Sequence, residues 1–239
     1  MLYDYKQTTW MNPNISYLFD DEIVEWDIKD AGFSLIKEFK LLPTEEINRL
    51  SKMEKGIGRH IEIGKMQKND LEFSNRLLNA FADARKFFMQ MNNITDDDII
   101  SVKKDAFFIT KKPNRVNFGQ IHFVAKNSYS SYLRFPNIHN IEIYYMPDGN
   151  MDFKQISDSC VDRHRLYTVE FLKGFIKRME NHDNSVKRYI MKYITEYKFL
   201  QMDEEYYLEF NNKSRDVNPL FNYREVLIPL LSVIIKEVA

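Results

Sequence analysis

The chain has 239 residues, enough for one large domain or two small ones with ample core. Its 44% apolar and 29% charged content is that of an ordinary globular protein, and only 7 Gly and 7 Pro exclude low-complexity tracts. A formal net charge of −1 excludes the strongly basic class that holds long nucleic acid by bulk charge, so any such grip must come from a local patch or a partner.

Residues 22–28, Glu-Ile-Val-Glu-Trp-Asp-Ile, predict a short buried strand ending near Asp27. Gly32 then breaks the chain, and Phe33–Phe39 reads as one or two helical turns. Pro43-Thr-Glu-Glu-Ile47 is a helix start, with an early proline and two acids at the positive end. Residues 52–68 are basic and punctuated by Gly56, Gly58 and Gly64. They lack the spacing and lysine–hydroxyl ending of a P-loop, so ordinary turns are expected there.

Residues 70–92 are the clearest helix. Leu71, Leu77, Leu78, Phe81, Ala84, Phe87, Phe88 and Met91 recur at three- and four-residue steps. A polar turn that includes Asp96, Asp97 and Asp98 leads into a second buried strand, Ile99–Ile109, with Asp105 in its middle. Three more strands are expected at 119–126, 129–135 and 140–146. After Pro147-Asp-Gly149 the composition shifts: 162–180 and 184–200 read as helices rich in Lys, Arg and Tyr. A strand at 206–210 and an apolar helix at 223–237 close the chain. The fold class is therefore α+β. An antiparallel sheet with packed helices and a short insert near 40–70 occupies 1–155, and a mostly helical subdomain occupies 156–239.

The lone Cys160 leaves no internal disulfide and no thiolate zinc cage. The five His, at 60, 122, 139, 164 and 182, show no metal-ligand spacing. The opening Met1-Leu-Tyr-Asp-Tyr-Lys lacks a secretory layout, and no run approaches ~18 apolar residues, so no membrane partner and a cytoplasmic location are expected.

Asp27 and Asp105 are the residues that point to chemistry. A carboxylate set in apolar, β-branched sequence is costly to bury unless a cation pairs with it. Two of them converging from different strands are what a Mg²⁺ or Mn²⁺ site for phosphoryl chemistry requires. Structural readings stand beside this one: Asp27 as a strand-end cap, and Asp105 ion-paired with Lys103 on the same strand face.

The order of these parts resembles the palm of family-B-like DNA polymerases. Asp27-Ile-Lys-Asp-Ala-Gly-Phe-Ser34-Leu resembles that family's first palm motif, D-x-x-S-L-Y-P-S-I, with the metal-binding Asp on Asp27 and the late Ser on Ser34. Lys103-Lys-Asp105-Ala-Phe resembles its catalytic hairpin D-T-D-S, whose second Asp falls on Asp105. The helix before it, with Arg85 near its middle, matches the palm helix in position and length. Lys126-Asn-Ser-Tyr129 resembles the K-K-x-Y segment that approaches the primer strand. The chain departs from the family at Lys103, which replaces the hairpin's first Asp, and at Gly32, which replaces the Tyr that excludes ribose 2′-hydroxyls. It also lacks the finger motif K-x-x-x-N-S-x-Y-G, and no exonuclease precedes the palm.

The resemblance implies two-metal nucleotidyl transfer, with Asp27 and Asp105 bridging the ions. It also implies that the backbone after Asp27, through Gly32 and Phe33, cradles the triphosphate. Arg59, Lys65 and Lys68 are candidate phosphate contacts by charge and position. For nucleic acid, Lys126 and Tyr129 join a helical patch of Lys187, Arg188 and Lys192 interleaved with Tyr189, Tyr193 and Tyr197; the alternative is a solvated helix face. The expected partners are nucleic acid, nucleotides and a protein supplying missing polymerase parts. The rival expectation is a palm-derived nucleic-acid-binding or assembly subunit without catalysis.

Overall fold

The computed structural model describes residues 2–54, 56–135, 141–154, 162–199 and 201. The strand expected at 206–210 and the helix expected at 223–237 lie outside the described residues. The chain forms two compact units, Met1–Asn14 with Ile23–Ser128, and Ile15–Glu22 with Tyr129–Ala239. The compositional shift near 150–160 thus falls inside the second unit. The fold is α+β, as the sequence implies, and its strands form two antiparallel sheets where one was expected.

The first unit is built on a six-stranded sheet. Its spatial order is β1 (Thr9–Met11), β4 (Ile99–Lys103), β5 (Ala106–Ile109), β3 (Ile23–Ile28), β7 (Ile121–Tyr129) and β6 (Asn117–Phe118). Four helices accompany it: α1 (Ala31–Glu38), α2 (Thr44–Lys52), α3 (Ile57–Asn69) and α4 (Leu71–Met91). α4 starts where Asp70 accepts a hydrogen bond from the Phe73 amide at 2.9 Å, an N-cap that satisfies one orphan donor. Its Phe88 ring then stacks on Phe123 of β7 with centroids 4.1 Å apart and on Phe107 of β5 at 5.2 Å. These contacts fasten the long helix to one sheet face. The apolar face of α4 is narrower than its periodicity predicts. Phe73, Leu77, Ala80, Ala84 and Phe88 are buried, whereas Leu71, Leu78, Phe87 and Met91 are exposed.

Two expectations are corrected here. Ile99–Ile109 is two strands, β4 and β5, because the chain reverses at Lys104-Asp105, where Lys104 takes φ 56. The glycine-punctuated 57–69 stretch is helix, with Gly58 and Gly64 inside it.

The second unit carries a separate four-stranded sheet in the order β10 (Met151–Lys154), β9 (Ile141–Tyr145), β8 (Ser131–Phe135) and β2 (Tyr17–Leu18). Of the later strands, only β7 joins the first sheet. β8 and β9 pair with each other from Ser131↔Tyr145 to Phe135↔Ile141, and do not extend that sheet. Helices α5 (Asp162–Glu180) and α6 (Val186–Lys198) bring Phe171, Phe175 and Ile190 into a core with Leu133 and Ile143. Among the described residues no helix is long and apolar enough to cross a membrane.

Candidate active site

β3 alternates, so Trp26 and Ile28 face the core beneath α4 while Glu25 and Asp27 point the other way. Trp26 pairs with Phe107 of β5, and continuing that antiparallel register sets Asp27 beside Ala106, the residue after Asp105. The β4–β5 turn thereby delivers Asp105 to Asp27, although the two are remote in sequence. Asp105 is a turn residue and not a mid-strand one, so strand alternation does not set it on one face with Lys103.

The two carboxyls lie within hydrogen-bonding reach of each other. Burial pushes the Asp105 carboxyl up from the ordinary 3.8 to about 6, and the negative Asp27 adds to the rise. Asp27 Oδ1 is buried and has no hydrogen-bond partner among the described residues. The other oxygen, Oδ2, lies 3.5 Å from Lys126 Nζ on β7, and the same ammonium lies 3.5 Å from Glu25 Oε1. Glu25 is itself buried and accepts a 2.6 Å hydrogen bond from the Asn127 side chain. Burial alone lowers the Lys126 pKa, but Glu25 and Asp27 together outweigh it and hold the ammonium above its ordinary value.

These groups border a cleft of about 540 Å³ within the first unit. Its walls include Asp27, Asp105 and Lys126, the Lys29–Gly32 backbone, His60 and Gln67 of α3, and Leu77 and Phe81 of α4. The turn after Asp27 is tightened by Ser34, whose hydroxyl donates to the Lys29 carbonyl at 2.8 Å. Asp30 adopts φ 50 ahead of α1 and pairs with Arg59. Gly32 lines the cleft; a Cβ there would meet Ile63 at 3.4 Å, so the Ile63 side chain closes that wall.

Other sequence candidates fall elsewhere. Arg59 is buried, donating to the Leu50 carbonyl at 3.1 Å, the Met53 carbonyl at 2.9 Å and Asp30, with Phe33 beneath its guanidinium at 4.2 Å. These bonds hold the α2–α3 connection and Asp30, and Arg59 does not border the cleft. Phe33 is core, and only its backbone could face a ligand. Lys65 is exposed and lies 3.9 Å from Glu62; Lys68 is exposed in the last turn of α3. Neither borders the cleft.

Tyr129 ends β7 but belongs to the second unit, where it is buried with its hydroxyl donating to Asp152 at 3.0 Å. Of the pair read as nucleic-acid contacts, Lys126 borders the cleft and Tyr129 does not. Lys187, Arg188 and Lys192 are all exposed on α6, with Lys192 3.6 Å from Glu196. Tyr189 stacks on Phe171 and Arg178, and Tyr193 on Phe171, so both rings serve the core of the second unit.

Sequence reading missed Glu25, Asn127 and Asp30 as members of the site. Glu25 had a signal: it stands two residues before Asp27, hence on the same face.

Residues 1–223 match the family model described as Bacteriophage PBS1 gene 130 protein. No curated protein matches the chain. Among solved structures, the family B DNA polymerase from the hyperthermophilic archaeon Pyrobaculum calidifontis is similar in fold, with a TM-score of 0.51 and 11% sequence identity. The similarity covers 90% of this chain and 38% of the polymerase, so the chain spans well under half of that protein's length.

Proposed function

This chain belongs to the Bacteriophage PBS1 gene 130 protein family, and we propose that it is a palm-type protein carrying out Mg²⁺- or Mn²⁺-dependent nucleotidyl transfer on nucleic acid. The carrying observation is the convergence on one cleft of Asp27, near the end of β3, and Asp105, in the β4–β5 turn. The fold likeness to a family B DNA polymerase supports it.

The site fits a divalent cation. Asp27 Oδ1 is a buried acceptor without a donor, and Asp105 is pressed against a like charge. A hard cation prefers such oxygens and draws the rest of its shell from water and phosphate. Bound there by Asp27 and Asp105, it would supply charge neutralisation for an attacking hydroxyl and a leaving pyrophosphate. The protein's own part is positional. Glu25 and Asn127 hold Lys126 beside Asp27, Ser34 tightens the turn behind the cleft, and Arg59 clamps Asp30 and the α2–α3 connection. The Lys29–Gly32 backbone offers a wall along which a triphosphate can lie. Exposed Lys187, Arg188 and Lys192 supply a patch for the nucleic-acid backbone.

A second reading, a palm-derived nucleic-acid-binding or assembly subunit without catalysis, has one observation in its favour. Among the described residues no group of three or more His, Cys, Asp and Glu side chains is arranged to hold a metal. Primer extension and template-free nucleotide addition, run with Mg²⁺ and with Mn²⁺, separate the two. Incorporation that is lost in both Asp27→Ala and Asp105→Asn supports the enzyme. Incorporation unchanged by Asp27→Ala sinks it.

A further inference from the structure

The Asp27–Asp105 site is unusual in already containing a positive charge. Lys126 Nζ sits 3.5 Å from both Glu25 Oε1 and Asp27 Oδ2. Glu25 is held from behind, because Asn127 donates to its other oxygen at 2.6 Å. Asp27 is therefore divided by function. One oxygen faces an ammonium, and the other is buried with no donor among the described residues. Only Oδ1 and the Asp105 carboxyl remain for a metal.

A pair of divalent ions sharing one carboxylate needs both of its oxygens, or a third acid to complete the bridge. Asp27 Oδ2 faces the ammonium, and the third acid nearby, Glu25, has one oxygen against Lys126 and the other bonded to Asn127. A second ion drawn to Asp27 Oδ2 would have to sit against the ammonium, in a partly desolvated cleft where like charges repel strongly. We propose that the Lys126 ammonium takes one of the two cation positions, so that the site would accept a single divalent ion, with Asp27 and Asp105 as its protein ligands. This rests on the reading of Asp27 and Asp105 as metal ligands given above. The site would thus bind a metal–phosphate substrate with one mobile cation and one tethered one.

The test is Mn²⁺ binding to the full-length protein, counted by electron paramagnetic resonance at neutral pH without nucleotide. Wild type is expected to bind one ion, with the spectrum of an isolated Mn²⁺. Asp105→Asn should weaken that ion at least tenfold. Lys126→Arg, which keeps the charge, should also bind one. Lys126→Gln, checked for an unchanged circular dichroism spectrum, should bind two, with the line broadening of neighbouring spins. Two ions on wild type, or one on Lys126→Gln, overturn the tethered cation while leaving Asp27 and Asp105 as ligands. No ion on wild type overturns the metal reading itself, and this inference with it.

Discussion

Arg85 donates from Nη1 to the carbonyl oxygen of Lys104, 2.7 Å away, so a buried guanidinium on α4 holds the turn that presents Asp105. The same side chain donates from Nε and Nη2 to the Tyr5 carbonyl at 3.0 and 2.6 Å. One residue therefore ties helix, N-terminal segment and the β4–β5 turn together. Arg85→Met leaves two carbonyl oxygens without these donors and should cost about 3 kcal/mol of unfolding free energy, measured by urea titration. If Asp105 holds Mn²⁺, that affinity should fall too, because the Asp105 turn loses its anchor.

The Asp105 carboxyl gives a pH signature with a definite sign. Its folded pKa, about 6, lies above the ordinary 3.8, because burial and Asp27 both disfavour the charged form. The stability it contributes is fully present below pH 3.8 and is lost as the pH rises through 6. Metal-free Asp105→Asn should accordingly be more stable than wild type at pH 8, by on the order of 2 kcal/mol. The two should converge near pH 4. Chemical unfolding in a chelator across that range checks both.

Arg59 should behave as a structural clamp. Arg59→Met strips the cation from Asp30, whose Oδ1 is already buried without a hydrogen-bond partner among the described residues. It also frees the Leu50 and Met53 carbonyls. A loss of about 2–4 kcal/mol is expected by thermal unfolding. Pairing it with Asp30→Asn should recover part of that loss, since the orphaned charge is removed as well. A direct phosphate ligand would show no such rescue.

Lys187 and Arg188 are exposed on α6, so reversing both charges should leave stability within about 0.5 kcal/mol. If the patch holds nucleic acid, Lys187→Glu with Arg188→Glu should lower affinity and flatten its salt dependence. The slope of log affinity against log salt should fall by about 2 for duplex DNA. Fluorescence anisotropy at several salt concentrations reads this directly, and an unchanged slope removes the patch.

The parts of the fold that were legible in the sequence are those with long, redundant signals. α4 announced itself through its apolar recurrence, and β3 through a β-branched run around a tryptophan. The β4–β5 reversal was hidden because Lys104-Asp105 contains no Gly or Asn, the usual residues for a positive φ; tertiary contacts from Arg85 and Thr8 enforce it instead. α3 is masked in the sequence by its glycines, which lower helix propensity, yet Arg59 and Ile63 bury one side of it and override that preference. β1, β2 and β6 are two or three residues long, too short to show alternation. At the site, the acids Asp27 and Asp105 were visible as isolated charges in apolar context. Glu25 carries a signal too, two residues before Asp27 on one strand face, whereas Asn127 joins the site only through the pairing of β3 with β7.

The backbone passes between the two units at three places, after Asn14, after Glu22 and after Ser128. The eight-residue excursion 15–22 lends β2 to a sheet whose other strands come from far downstream. A genetic cut at 128/129 would therefore not release an autonomous C-terminal fragment. It would strip Tyr17 and Leu18 from β8 and bare a row of amides and carbonyls to solvent, an invitation to self-association. A dissected version that keeps this sheet edge covered would have to be circularly rearranged, with 15–22 grafted onto the later piece and the gap in the earlier one resealed.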